Sequence, residues 1–429
     1  MKKKYRIILY TSIFLLCVVA SIILVVKKSN SVYEEESKPK VVKHKSMLSM
    51  NLEQTAGAGD YKTVTQSKWP TEGYKFNAEL SRCENGSTLS WDDTKKAVIV
   101  SGNLSDKCYV YFDIYQPTLA EYIKSQYTGT QGENNIYYHD SDLANGAGDN
   151  SYRYAGANPN NFVCFGTTES PCPTDNLYRI IGVFGENYHG VTGKQLVKLI
   201  KYDYMTTDEL GTDGDYSQTY KEWGMDSTYK GTYGDGERIG VYYWNYKATG
   251  SATNTWSTSL LNKTNLNTNF INNIGTTWAN KIATVTWKVG GNTWANIGTK
   301  TSSVAYTNEI TNPVTTNTTD NATTYSAKIG LMYVSDYGFA ASPDAWTLTM
   351  SSYNNTTATN NNWMYMGLYE WTISRYADLS NFAFLVNFDG NVFRHNVNLS
   401  NGLRASFNLE SSVSYVSGSG SMSDPIVIN

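Results

Sequence analysis

The residues best suited to chemistry are oxygen donors on a glycine-rich stretch, HDSDLANGAGDN, in which Asp140, Asp142, Asn145 and Asp149 follow one another closely. Ca²⁺ takes six to eight oxygens, often from such a loop. The EF-hand spacing fails by one residue: counted from Asp140, the fifth and sixth positions are Ala144 and Asn145, where Asp or Asn and then Gly are required. The same residue types close Asx turns with no metal at all. Ca²⁺ is thus the one cofactor the sequence raises, and turn formation is the competing reading.

Nucleophilic and metal chemistry find less. There is no GxSxG elbow for an activated serine, and His139, His189 and His395 fall on separate segments. Beyond Cys17 there are four cysteines, Cys83, Cys108, Cys164 and Cys172, with no CxxC spacing. An even number without flanking histidines suits two disulfides better than zinc. Of three possible connectivities the local pairs Cys83–Cys108 and Cys164–Cys172 are preferred, since each brackets turn-rich sequence. Disulfides imply an oxidising compartment. No enzyme activity is expected.

A recognition surface is better supplied. Trp371, Tyr376, Asp389, Asn391, Arg394, His395 and Asn398 bring aromatic and hydrogen-bonding side chains onto late hairpins. Aromatic faces stack on sugars or peptides while Asn and Tyr adapt their hydrogen bonds. Arg404, in the last apolar run, reads as a structural arginine paired with a carboxylate or carbonyls.

These residues need elements to hold them. Between Phe382 and Leu409 apolar and polar residues alternate around Asp389-Gly390 and Asn401-Gly402, which suit two-residue turns. Three strands are predicted, 382–388, 392–397 and 403–409, the last with Leu403, Ala405, Phe407 and Leu409 on one face. WTIS at 371–374 and the run IGLMYVSDYGFAA at 329–341 read as further strands, and 177–184 with 195–202 as a hairpin. Helical spacing is predicted after Pro117 (LAEYIKSQY) and from Trp256 to Ile271. The Thr/Asn-rich residues 302–325 read as an exposed loop. Upstream, 87–91, 97–101 and 108–114 are predicted strands of a small unit that a disulfide would staple.

The N-terminus places the whole. MKKKYR precedes an uncharged run from Ile7 to Val26, which as a helix spans about 30 Å, the hydrocarbon thickness of a membrane. It passes directly into Lys27-Lys28 with no small-x-small exit, so an uncleaved anchor is expected. The predicted organisation is cytoplasmic tip and anchor 1–28, linker 29–68, small β unit 69–116 and a larger domain 117–429, with the bulk of the chain outside the cell. A net charge of −3 gives no electrostatic case for nucleic acid.

The order of the RIIGVF…VKLIK hairpin, TWSTSLLN, IGLMYVSDYGFAA, a tryptophan strand, VNFDGNV…NGLRASFNL and a Pro-Ile-Val-Ile end resembles a large family of exported bacterial domains of unknown function. That family is similar to the C-type-lectin-like fold shared with formylglycine-generating enzymes. The resemblance covers residues 119–429. Where the family has Gly-Val-Arg-Pro this chain has Gly402-Leu403-Arg404-Ala405, and Trp371-Thr372-Ile373-Ser374-Arg375 stands where Trp-Leu-Arg-Ser-Pro is usual. The resemblance implies an α+β domain of short twisted antiparallel sheets, two helices and long loops, its first and last strands paired, with the late loops as the ligand surface. No cysteine follows Cys172, and the Glu-Pro-Asn, Gln-Pro-Asp and Trp-Asn-Asp motifs of Ca²⁺-dependent sugar binding do not occur. The expected function is a membrane-anchored, non-catalytic cell-surface module, adhesin-like or receptor-like, for a glycan or protein. A structural envelope protein and a surface hydrolase are the alternatives.

Overall fold

A computed structural model describes residues 48–65, 68–70, 73–103, 105–185, 193–224, 227–250, 252–314, 322–354 and 359–429. The expected anchor, the first part of the linker and His189 lie outside them. Among the described residues no helix is long and apolar enough to cross a membrane. The chain is mixed α+β, built from small antiparallel sheets and few helices, in two compact units, Met1–Gln116 and Pro117–Asn429.

The first unit is organised by the strand Cys108–Ile114. It pairs in parallel with Leu48–Glu53 and antiparallel with Tyr74–Phe76 and Arg82–Cys83, while Tyr61–Val64 closes the outer edge. Leu48–Glu53 and Tyr61–Val64 are therefore paired strands within the stretch expected to be linker. The reason lies in LSMNLE, whose Met50 and Leu52 fall on the face that packs with Val98, Val110 and Phe112. Trp69, Phe76 and Trp91 surround the Phe112 ring. Cys83 stands directly opposite Cys108 in register, and the two are disulfide-bonded.

In the second unit a helix, Leu119–Ser125, starts at a capping box in which Thr118 and Glu121 satisfy each other's backbone N–H groups. The main sheet runs, in spatial order, Ile329–Gly330, Ser406–Asn408, Leu196–Lys201, Leu177–Phe184, Ser151–Tyr154, Ile136–His139, with Phe162–Cys164 also on Leu177–Phe184. Cys164 is bonded to Cys172, so both local disulfides are present. The helical spacing around Trp256 gives the segments Leu261–Phe270 and Ile271–Ala279.

Two predicted elements change type. In the run 329–341 only Ile329–Gly330 is strand; Val334–Ala340 is a helix, all seven residues buried. Its start is fixed by carboxylates: Asp336 accepts the N–H of Tyr333, and Glu309 accepts those of Val334 and Ser335. Glu309 itself comes from the stretch predicted to be loop. That stretch contains the helix Ser302–Tyr306, the helical turn Thr307–Thr311 and the start of the strand Thr324–Ala327. The strand predicted at 403–409 is shorter, Ser406–Asn408, and buried on both faces rather than one, because the sheet is covered on both sides.

Candidate ligand-binding face

The late hairpins form a three-stranded sheet, Glu370–Arg375, Phe382–Val386 and Val392–Asn396, with the last strand at its edge. Phe384 lies opposite Arg394, and Leu385 opposite Phe393. An edge position leaves Phe393 42% exposed, although it is a large aromatic residue.

Beside this edge stands a tryptophan that the sequence reading passed over. Gly291, at φ +58°, makes a turn where a Cβ would strike the carbonyl oxygen of Arg375, so only glycine fits. Asn292 follows; its side chain is held by the carbonyls of Asn308 and Asn312, and its own carbonyl accepts the N–H of Ala377. Trp294 is thereby aimed at the hairpin. Its N–H donates to Asp378 Oδ2 at 3.0 Å, and its indole lies over Gly298, where a side chain would collide with the ring. Arg394 then rests over Trp294 at 4.5 Å, over Tyr376 at 5.2 Å and over Phe393 at 5.5 Å. Phe393 meets Trp294 edge to face. Burial, and then the hydrogen bond to Asp378, raises the pKa of the Tyr376 phenol.

Among the described residues no carboxylate lies within ion-pair distance of Arg394. The guanidinium is surrounded by aromatic rings at cation–π distance. The Asp378 carboxylate stands on the neighbouring loop, positioned by Trp294. The face can therefore stack a planar or sugar ring, accept a hydroxyl proton at Asp378 and hold an anionic group at Arg394.

The other predicted members of the cluster are dispersed. Trp371 is wholly buried and donates from Nε1 to the carbonyl of Tyr242, so it cannot reach a surface ligand; that part belongs to Trp294. Tyr376 is buried but borders the face through Arg394. Asp389 accepts both the backbone and side-chain N–H groups of Asn391, so both serve the hairpin turn. Asn398 donates its N–H to Asn396 Oδ1 in the next turn. His395 stacks on Tyr369, centroids 5.3 Å apart; burial lowers its pKa and the Asn401 side chain opposes the shift.

Nor do the four loop oxygens converge as a metal site. Asp140 accepts the N–H groups of Asp142 and Leu143 in an Asx turn, and Asn145 takes φ +60°. Asp149 turns inward to Arg153 at 2.6 Å, with Ser151 and Tyr306 as further donors. Among the described residues no group of three or more His, Cys, Asp or Glu side chains could hold an ion. Arg404 is fully buried and pairs with Glu370 at 2.8 and 3.1 Å.

Comparison with family models, curated proteins and solved structures returned no match to the chain.

Proposed function

We propose that this is a membrane-anchored cell-surface protein whose second unit, a C-type-lectin-like domain, binds an extracellular ligand without catalysis through the Trp294–Phe393–Arg394 face. The carrying observation is Arg394, set within cation–π distance of three aromatic rings and facing no carboxylate partner among the described residues, beside an exposed Phe393. A cation kept this way gains little for stability, yet it is preorganised for an anionic or polar ring. The C-type-lectin-like reading draws support from the pairing of early and late segments: Thr118 bridges to Ser414, and the Leu119 N–H donates to Val413. Attachment by residues 7–26 rests on their length and lack of charge.

The test is a binding screen of the full chain in detergent against glycans, cell-wall fragments and surface proteins, run with Ca²⁺ and with chelator. A ligand lost on both Trp294→Ala and Arg394→Ala supports the proposal. A ligand indifferent to both moves recognition elsewhere.

A further inference from the structure

We propose that Lys198 and Asp336 become joined by an intramolecular amide bond, Nζ to Cγ, formed by the folded chain itself with Glu309 as the proton carrier. Lys198 lies on the strand Leu196–Lys201 inside the main sheet and Asp336 in the helix Val334–Ala340. Their side chains are 0% and 2% exposed, and Nζ stands 2.5 Å from Oδ2. The same Oδ2 accepts the N–H of Tyr333, which fixes the carboxyl in front of the amine. Aromatic walls exclude water: Nζ is 4.4 Å from the ring centroid of Tyr333, 5.2 Å from Trp287 and 5.9 Å from Phe184.

Glu309, also fully buried, is bound to the N–H groups of Val334 and Ser335, the residues directly after Tyr333. The hydroxyls of Ser335 and Ser374 donate to it as well. Burial pushes its carboxyl up to about 7, with Asp336 adding to the rise, so it can both give and take a proton. Burial lowers the pKa of Lys198, which Asp336 opposes.

Other buried pairs lack these parts. Arg404–Glu370 and Arg153–Asp149 offer a guanidinium, which stays protonated and is no nucleophile. Lys201 meets Glu209 at 3.1 Å, but Glu209 is 13% exposed and engaged in capping Thr206.

The step balances without an oxidant or co-reactant. One proton moves across the contact from the ammonium to the carboxylate, so that the reacting groups are a free amine and a neutral acid. Nζ attacks Cγ, and the new C–N bond forms as the C–O bond breaks. Glu309 protonates the departing oxygen and receives the proton that nitrogen sheds, so amine plus acid becomes amide plus water. Held proximity supplies much of the drive, and loss of two buried charges removes their desolvation cost.

Intact mass of the full chain, reduced and denatured, tests this. The expected mass is one water below that of the sequence, with a branched peptide joining Lys198 to Asp336 after proteolysis. Lys198→Arg and Glu309→Gln should each restore the full mass while circular dichroism shows a folded chain. A wild-type chain at full mass, or one short of a water with no branched peptide, overturns the bond. Glu309→Gln still one water short overturns the role given to Glu309.

Discussion

The guanidinium of Arg394 lies over the indole of Trp294 at 4.5 Å, so the edge strand of the last hairpins and the loop after Gly291 present one surface. Neither residue is supported by an ion pair there among the described residues. On the proposed reading this contact is part of the recognition surface.

Replacing either side of that contact should cost binding. Arg394→Ala should do so with little effect on folding, whereas Trp294→Ala also removes the ring packed on Phe384 and over Gly298 and should lower the melting temperature. Trp294→Ala and Arg394→Ala are each expected to weaken the ligand found by screening about tenfold, or about 1.4 kcal/mol. Asp389→Ala should leave affinity unchanged and lower the melting temperature, because its carboxylate is engaged within its own turn. Calorimetric titration with thermal melts separates the two effects.

Breaking the Arg404–Glu370 pair should be costly in the opposite way. Arg404→Met leaves the Glu370 carboxylate buried without its counter-charge, and about 3–5 kcal/mol of stability should go. Adding Glu370→Leu should recover most of the loss, although the carbonyls of Met364 and Tyr202 remain without their donor. Denaturant melts of the single and double variants measure the difference.

His139 should make the fold sensitive to mild acid. Burial, then the nearby Arg153 charge, holds its pKa well below the ordinary 6.5, so the folded chain keeps it neutral. A depressed folded pKa means stability that is present above pH 6.5 and lost as pH falls below it. Glu309 acts with the opposite sign: raised from 4.5 to about 7, it contributes stability present below pH 4.5 and lost as pH rises through 7. The two slopes offset each other in the wild-type chain. Subtracting a His139→Gln melt series from the wild type between pH 7 and 5 should isolate the first: the wild type should lose ground as pH falls. A flat difference would show that His139 does not stay neutral in the fold.

Removing the Cys83–Cys108 bond should act on the first unit alone. Its closed loop, a sequence separation of 25, corresponds to about 3 kcal/mol, a large share for a unit whose core is a few residues around Phe112. Hydrogen exchange of the Cys83→Ser/Cys108→Ser chain should show the strands of 48–114 unprotected and the main sheet of the second unit unchanged.

Much of this architecture could be read from the chain because its signals are local. The cysteine pairs, the Thr118-to-Glu121 cap and the hairpin at 177–201 depend on neighbours a few or a few tens of residues away. The helix Val334–Ala340 is hidden because it is buried all round, Ser335 and Asp336 included, so no helical apolar period marks one face. Thr307–Thr311 looked like loop since its helical form depends on Glu309 and Ile310 being buried in the fold. The candidate face is half legible in the sequence: Arg394 and Tyr376 fall on it, whereas Trp371, from the same run of candidates, is buried and Trp294, far earlier in the chain, stands there instead. Which tryptophan faces out is decided by coverage of the sheet, and coverage is a long-range property.

The second unit opens where its sequence closes. The Pro117 carbonyl accepts the N–H of Tyr415, the Leu119 N–H donates to Val413, and Asn429 Oδ1 accepts the N–H of Ser414. A tether pulling at Pro117 therefore loads residues 413–415 directly, and through them the strand Ser406–Asn408, which pairs with Leu196–Lys201. Mechanical load enters the centre of the sheet by this short route. Neither Trp294 nor Arg394 takes part in the pairings along this route.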